Sequence, residues 1–482
     1  MSTSAGGASD VPSVIRPGPG THLLPAVMLI TVVYQFSGWV PLAAASHLLL
    51  LVYVILQWPR LERLPRAVVV MTAVLLPVLP WFSADPQGSL LLALNRAAWF
   101  ATYLAALSFF KVASDSSTLV RQCGEVIINQ PPSKRYITLS AGSLLIGIPL
   151  NLAALNLVGV MVRRANTLTA AGGREAVQRV RAERMFSAMA RGFSLTPLAS
   201  PLNLTLALIL SILTDLRWWS VLPLGLLTAV MMLAYGWVWD RASAPRSGLA
   251  PPGPQQAPPG GLRVILRFLL LVLAIFAGAV AVELALDVSL PLAILLTAPV
   301  AAFLWMLVQR RRAGLPRAVA LSTARLVRGA PAQFSGLRSE ITVLAGAGVM
   351  GTLIAAALPT TAIADLLAGA GLHGQIIAIL VMLLMVILPQ LGLNAMLVAT
   401  ILLSSLAQPE LFGMVPEQLA LAVMSGWALA VCSSPVSASV LIISRVAGIE
   451  AQTLCWGWNG WFTVVGAGLM TLWMLGLGYL VF

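Results

Sequence analysis

Charged residues are scarce in this sequence of 482 residues. Asp, Glu, Lys and Arg together make up 9% of it, hydrophobic residues make up 59%, and the mean hydropathy is +0.92. An ordinary water-soluble domain has about 25% charged residues, so the composition excludes that class. Because many apolar runs are long enough to cross a bilayer as helices, the sequence predicts an all-α polytopic membrane protein.

Cysteine and histidine are also rare, with three residues of each. The cysteines have no paired spacing and the histidines do not cluster with them, so neither a zinc site nor a disulfide framework is predicted. No group of His, Asp, Glu and Cys falls at a common depth, which argues against a membrane-embedded enzyme. We therefore expect no cofactor and no catalytic residue. The six residues are Cys123, Cys432, Cys455, His22, His47 and His373.

Acidic residues are fewer than basic ones, 16 against 29, which leaves a net charge of +13. The arginines stand in short blocks between apolar runs, so they indicate cytoplasmic loops and contacts with anionic lipids of the bilayer, and no nucleic-acid partner is expected. With these blocks placed inside, eleven helices cross the membrane, the amino terminus is cytoplasmic and the carboxyl terminus is external. We expect the membrane to be the bacterial inner membrane.

The chain divides into two halves around a proline-rich linker. Residues 1–22 are polar and rich in glycine and proline, and they are predicted to be a disordered tail. Residues 23–240 are predicted to form a first repeat with an extra amino-terminal helix. Residues 241–262 are the cytoplasmic linker, and residues 263–482 are predicted to form a second repeat.

Two apolar segments do not fit a pattern of simple crossings. If residues 136–162 crossed the membrane, the arginine-rich stretch after them would lie outside, which the positive-inside rule disfavours. The conflict disappears if the segment is a re-entrant hairpin that turns at residues 147–151. A second hairpin, entering from the opposite side, is predicted for residues 376–406, because residues 389–394 bisect it and the loop after it is acidic.

Two further apolar segments are interrupted by a Ser-Pro pair. Residues 191–201 align with residues 425–435 at an offset of 234, so that a glycine, an aromatic residue and Ser-Pro recur in the same order. The hairpin prolines, Pro149 and Pro389, are 240 residues apart. Interrupted segments at corresponding places in two halves indicate the inverted repeat of a secondary transporter. A pair of proline-kinked helices with coincidental serines is the simpler alternative.

The hairpin tips and the breaks supply the candidate binding residues. A half-helix that ends inside the membrane exposes N–H groups at one end, which suit anions, and C=O groups at the other, which suit cations. Proline removes a donor, and Ser, Thr, Asn and Gln add neutral oxygens and amides. The candidates are Asn151 and Asn156 in the first hairpin, facing Ser200, Pro201, Asn203 and Thr205, and Gln390 and Asn394 in the second, facing Ser433, Ser434, Pro435, Ser437 and Ser439.

No charged residue falls inside a hairpin tip or a break. A proton-coupled carrier more often keeps a carboxylate there, so the neutral oxygens favour Na⁺ as the coupling ion, bound at the same residues, with no other metal. Arg96, near the start of a span, is expected to reach the interface as a snorkelling side chain. The glycine-rich residues 344–351 predict close helix packing.

With proline-bearing hairpin tips that contain Asn151 and Asn394, and with Ser-Pro breaks at Ser200 and Ser434, the chain resembles the ion transporter superfamily. It is most similar to the divalent anion/sodium symporters and is related in appearance to the membrane subunits of tripartite periplasmic carboxylate carriers. The symporters carry Ser-Asn-Thr at these four places, a triplet that this chain lacks.

The resemblance implies a homodimer that moves a small organic anion, such as a carboxylate, together with sodium. Transport would occur by an elevator-type shift of the hairpins and broken helices against the remaining spans. Two alternatives stay open. One is an ion antiporter or exporter on the same scaffold, and the other is a non-transporting membrane assembly protein.

The predicted topology can be tested by cysteine labelling in a variant without the native cysteines. Ser133→Cys and Thr167→Cys flank the first hairpin, and both should react from the cytoplasm. Gln375→Cys and Glu410→Cys flank the second, and both should react from outside. If the members of either pair react from opposite sides, that segment is a simple span and the inverted repeat is lost.

Overall fold

The computed structural model describes residues 18–243, 260–372 and 374–480. Within these ranges the chain is helical and contains no β-strand, as predicted. Most of the predicted tail, most of the linker and His373 lie outside the described residues.

The first half of the chain forms eleven helices: α1 (Leu23–Ser37), α2 (Val40–Gln57), α3 (Arg63–Leu75), α4 (Pro86–Ser114), α5 (Thr118–Ile128), α6 (Pro132–Leu150), α7 (Leu152–Ala165), α8 (Glu175–Ser194), α9 (Thr196–Ala199), α10 (Leu204–Ile212) and α11 (Trp218–Ala242). The second half forms ten: α12 (Gly261–Leu286), α13 (Leu290–Gln309), α14 (Leu315–Gly336), α15 (Arg338–Ala357), α16 (Thr360–Gly369), α17 (Gln375–Gln390), α18 (Ala395–Ser405), α19 (Pro416–Ser433), α20 (Ala438–Ala447) and α21 (Gly460–Leu480).

Nine helical segments of the described chain are long and apolar enough to cross a membrane: α2, α4, α8 to α10 together, α11, α12, α13, α15, α19 with α20, and α21. Two of the eleven predicted spans fall short of that length. Residues 23–40 form the 15-residue α1, which ends because Gly38 adopts a left-handed conformation. Residues 67–82 contribute to the 13-residue α3, and Pro77 follows its end, where proline cannot continue the helical hydrogen bonding.

Residues 18–22, which the sequence assigned to the disordered tail, are placed against the ends of two helices. The backbone N–H of Gly18 donates to Ser335 Oγ at 2.8 Å. Gln57 Nε2 donates to the carbonyl oxygen of Pro19 at 2.6 Å. These two hydrogen bonds join the start of the described chain to the last turns of α14 and α2.

Helices α4 and α15 pack against each other over much of their length. The 29-residue α4 begins with Pro86 at its first position and with Asp85 as its cap, whose Oδ1 accepts from the N–H of Gly88 at 2.9 Å. Gly348 of α15 leaves room for the Phe100 ring of α4, and Gly351 leaves room for Thr400 of α18. The close packing predicted for residues 344–351 is therefore present in the structure.

Each predicted hairpin segment forms two helices that pack on each other. In the first half α6 and α7 meet at the single residue Asn151, and in the second half α17 and α18 are joined by residues 391–394. The first arm of each hairpin crosses the helix before the corresponding break: α6 packs on α8, and α17 packs on α19. The two halves therefore repeat the same contact.

Equivalent glycines allow this contact. A Cβ atom at Gly192 of α8 would overlap the backbone of Ser140 in α6, and one at Gly426 of α19 would overlap the backbone of Met382 in α17. Gly192 and Gly426 are also a pair in the sequence alignment at the offset of 234. A side chain at either position would push a hairpin away from its broken helix.

We expect Gly192→Ala and Gly426→Ala each to destabilise the protein by roughly 1–3 kcal/mol, the usual cost of overpacking. Gly278→Ala is the matched control, because Gly278 is an exposed helical glycine of α12 and no other atom lies within 4 Å of where a Cβ atom would be. That change should be neutral, or stabilising by up to about 1 kcal/mol through helix propensity. Thermal unfolding in detergent measures all three, and equal stability of the three variants would contradict the repeated contact.

Candidate functional site

The two helix breaks have the same local geometry. In the first, Ser200 leaves the helix with φ −102° and ψ 115°, and Asn203 starts the next one with φ −79° and ψ 144°. In the second, Ser434 has φ −83° and ψ 125°, and Ser437 has φ −67° and ψ 138°. Each break thus takes four residues, from an extended serine to an extended cap, with a proline directly after the serine.

Each break is bonded to the hairpin of its own half. Ser434 Oγ donates to the carbonyl oxygen of Pro389 at 2.8 Å. Gln390 Nε2 donates to Ser433 Oγ at 2.9 Å. In the first half, Ser200 Oγ lies at the longer distance of 3.5 Å from the carbonyl oxygen of Ile148. The structure thus brings together the hairpins and breaks that the sequence paired.

Four half-helices begin at these breaks and tips, namely α7, α10, α18 and α20. Helix α7 packs on α20, where Gly159 lies against Val446. Helix α10 packs on α18. Each half-helix of the first half therefore contacts a half-helix of the second half.

Three of the four N-termini are capped by predicted site residues. Asn203 Oδ1 accepts from the N–H of Thr205 at 2.8 Å, and Asn394 Oδ1 accepts from the N–H of Met396 at 2.8 Å. Ser437 Oγ accepts from the N–H of Val440 at 3.3 Å. Since the cap uses the amide oxygen, Nδ2 of each asparagine points away from its own helix, and it donates to no residue in the described ranges.

Several other predicted residues are used within the turns. Ser433 Oγ donates to the carbonyl oxygen of Leu429 at 2.8 Å, and Ser439 Oγ donates to that of Val431 at 2.5 Å. Ser200 and Ser434 are each 1% exposed, and Pro201 is buried whereas Pro435 is partly exposed. Asn156 is exposed on α7, beyond the tip. Ser433, Ser434 and Ser439 thus maintain the shape of the second break through hydrogen bonds to backbone carbonyl groups.

Two buried oxygens beside the breaks have no hydrogen-bond partner among the described residues. They are Thr205 Oγ1, two residues after the first cap, and Gln390 Oε1, at the second hairpin. A buried polar atom of a protein almost always has a partner, so each of these oxygens has a coordination position to offer. Neutral oxygens of this kind suit a hard cation better than an anion.

Sequence reasoning missed Arg191, which is 7% exposed on α8, nine residues before Ser200. Its Nε donates to Asn459 Oδ1 at 2.8 Å, and its Nη2 donates to the carbonyl oxygen of Trp458 at 3.0 Å. The guanidinium also lies 4.2 Å from the centre of the Phe462 ring. These contacts hold α8, the helix before the first break, against the π-helical turn that precedes α21. The sequence signal for this role was an arginine inside an apolar run.

The expectation that Arg96 snorkels to the interface is wrong. Its Nη1 donates to Thr352 Oγ1 at 3.0 Å and to Ser404 Oγ at 2.8 Å. These hydroxyls belong to α15 and α18, which pack against each other beside α4 and offer polar partners within the protein. The side chain therefore turns inward.

No protein-family model and no curated protein sequence matches this chain. Among solved structures, it is similar to the YdaH transporter of Alcanivorax borkumensis, whose topology is described as unusual. The two are 15% identical, the similarity covers 78% of this chain and 85% of that one, and the TM-score is 0.44.

Asn151, at the tip of the first hairpin, has φ 48° and ψ −136°, a conformation suited to glycine. We expect Asn151→Gly to be at least as stable as the native protein, and Asn151→Ala to lose about 1 kcal/mol or more through backbone strain. Thermal unfolding measures this. Asn151→Gly also distinguishes a role of Asn151 in the turn from a role in substrate binding, because it keeps the turn and removes the side-chain amide. Weaker substrate binding by a stable Asn151→Gly variant would assign the side chain a binding role. Unchanged binding would remove Asn151 from the site.

Proposed function

We propose that this protein is a secondary active transporter that moves a small organic anion, a carboxylate, across the bacterial inner membrane in symport with Na⁺. The observation that carries the proposal is a pair of helix breaks of matching geometry, each hydrogen-bonded to the hairpin of its own half. We infer that the four half-helix N-termini of the breaks and tips face one substrate. Two unrelated helix interruptions would not be expected to share the same geometry. A substrate site at the middle of the membrane requires such breaks.

The N-termini support an anionic substrate. Each helix N-terminus carries a partial charge of roughly +0.5, so four of them amount to about two positive charges that no carboxylate of the tips or breaks neutralises. The Nδ2 groups of Asn203 and Asn394, whose oxygens are used as caps, would add further N–H donors. This combination suits a carboxylate, and its summed charge favours a dicarboxylate over a monocarboxylate.

The unpaired oxygens support sodium as the coupling ion. Thr205 Oγ1, in the first turn of α10, and Gln390 Oε1, at the carbonyl end of α17, are buried without a described partner. Sodium would be held by these oxygens and by carbonyl groups at the ends of half-helices. A proton-coupled site would need a titratable group there, and the tips and breaks contain none.

The remaining parts of the proposal concern topology and motion. Both hairpins are re-entrant, from opposite sides, so the halves form an inverted repeat with a cytoplasmic amino terminus and an external carboxyl terminus. The hairpins and broken helices would move together in an elevator-type shift, within a homodimer, against a scaffold built around α4 and α15. The glycine contacts at Gly192 and Gly426, which bind each hairpin closely to its broken helix, support their movement as one body.

The proposal is tested by uptake into liposomes that contain the purified protein. Radiolabelled carboxylates, beginning with succinate, should accumulate when an inward sodium gradient is imposed, and accumulation should cease when potassium replaces sodium. Equal accumulation driven by a pH gradient would show that the coupling ion is the proton and not sodium. The absence of transport for every anion and cation tested would favour the assembly-protein alternative.

The sign of the substrate charge is tested by Asn203→Asp and Asn394→Asp. Aspartate caps a helix as well as asparagine does, so the fold should be retained while the outward amide becomes a carboxylate. At an effective dielectric constant near 20, like charges about 4 Å apart repel by roughly 4 kcal/mol, enough to reduce anion binding about a thousandfold. Anion uptake should therefore be abolished in both variants.

Asn129→Asp, at the exposed end of α5, is the matched control and should transport normally. Asn203→Ser keeps a cap but lacks the amide, and it should weaken uptake only by the several-fold effect of one lost hydrogen bond. Normal anion uptake by folded Asn394→Asp would remove this region from the anion path. Enhanced cation transport by the same variant would favour the ion antiporter or exporter.

A further inference from the structure

Arg96 is the eleventh residue of α4 and lies inside a segment long and apolar enough to span the membrane. A guanidinium at that depth is costly in an apolar environment, and intramembrane charges that persist mark substrate paths or relays. Arg96 is in none of the ion pairs formed by the described residues, which join Arg121 to Glu125, Arg179 to Glu175 and Arg184 to Asp240. Its charge is therefore not neutralised by a carboxylate of the described chain.

Most of the hydrogen-bonding capacity of this guanidinium is unused. An arginine side chain has five N–H donors. Both hydrogen bonds of Arg96, to Thr352 Oγ1 and Ser404 Oγ, come from Nη1. The Nε and Nη2 groups donate to no atom of the described residues, and this is the edge of a guanidinium that binds a carboxylate with two parallel hydrogen bonds.

A third hydroxyl belongs to the residue that follows Ser404 in α18. Ser405 Oγ is buried and has no hydrogen-bond partner among the described residues. Ser404 and Ser405 are the last two residues of α18, and Arg96 Nη1 joins Ser404 to Thr352 of α15. The group thus contains a cation with vacant donors, two hydroxyls that hold it in place and one hydroxyl that lacks a partner.

The neighbouring residue, Asn95, makes its hydrogen bonds to other helices than Arg96 does. Asn95 Oδ1 is 2.9 Å from His47 Nε2, and Asn95 Nδ2 donates to Tyr34 Oη at 3.3 Å. Its amide is therefore occupied by α1 and α2. Arg96, in contrast, makes its hydrogen bonds to α15 and α18.

We propose that Arg96, with Thr352, Ser404 and Ser405, forms a second anion site that binds a carboxylate group through the vacant Nε and Nη2 donors and the Ser405 hydroxyl. This site is separate from the half-helix N-termini, because Ser404 lies ten residues along α18 from Asn394, about 15 Å at 1.5 Å per residue. Two carboxylate sites, one with a formal positive charge and one with helix N-termini, could hold an anion in succession.

The role of this second site rests on the proposed function, and its binding of anions does not. In the proposed topology α18 leads from the hairpin tip to the external side, so Arg96 lies between the outside and the central site. A positive charge there would concentrate anions before they reach the N-termini. The site would therefore affect the apparent KM for uptake more than the maximal rate.

The test is calorimetric titration of the purified protein with succinate at constant ionic strength. Arg96→Gln should weaken the Arg96-dependent binding at least about tenfold, and Arg96→Lys should restore part of it, since lysine keeps the charge without the two-pronged geometry. Arg217→Gln is the matched control, because Arg217 is an exposed arginine before α11 and its loss removes the same charge. It should bind succinate as the native protein does.

A second variant covers the case in which Arg96→Gln fails to fold. Ser405→Ala removes only the unpaired hydroxyl, adds no atoms to a buried position and leaves Arg96 intact, so it should be stable and should bind succinate several-fold more weakly. Native binding by Ser405→Ala together with native binding by any folded Arg96 variant would overturn the proposal. The lack of succinate binding by the native protein would also overturn it.

Failure of this site can be told from failure of the proposed function. The double variant Asn203→Asp/Asn394→Asp removes the central anion site and leaves Arg96 untouched. Succinate binding that survives in the double variant and is lost on adding Arg96→Gln belongs to Arg96, whether or not the protein transports. Binding that disappears entirely in the double variant shows that no second site exists.

Discussion

Unsatisfied backbone N–H groups at the helix breaks are the constraint on which the rest of the structure depends. In a bilayer no water hydrogen-bonds such groups, so a helix can stop halfway only where protein or a bound ligand covers its end. Asn203, Asn394 and Ser437 each cap one N–H of the helix that they begin. The hairpins cover the breaks, and the glycines at Gly192 and Gly426 let the hairpin arms approach the broken helices closely.

The same constraint explains why so much of the site could be predicted from the sequence. Proline lacks an N–H and cannot continue a helix, so the Ser-Pro pairs at Ser200 and Ser434 determine their breaks locally. Recurrence of the pattern at one offset located the glycines and the caps as well. The roles within the breaks could not be predicted, because a serine that binds a ligand and one that bonds a nearby carbonyl, as Ser439 does, have the same sequence signature.

The unpredicted features depend on contacts between distant parts of the chain. Arg96 finds its hydroxyl partners 256 and 308 residues further on, and Arg191 finds Asn459 268 residues further on. A hydropathy scale counts both arginines as unfavourable in an apolar segment, because it contains no information on the polar groups that a neighbouring helix presents. The short lengths of α1 and α3 were missed for a different reason. Their apolar runs continue past the residues at which Gly38 and Pro77 end the helices.

The central claim is that four half-helices present their N-termini to one anion. It is tested most directly by an electron cryo-microscopy map of the protein in lipid nanodiscs with succinate and sodium. The account predicts ligand density between the N-termini of α7, α10, α18 and α20, in contact with the side-chain amides of Asn203 and Asn394. Breaks that close into continuous helices, or N-termini that face separate regions with succinate bound elsewhere, would contradict it.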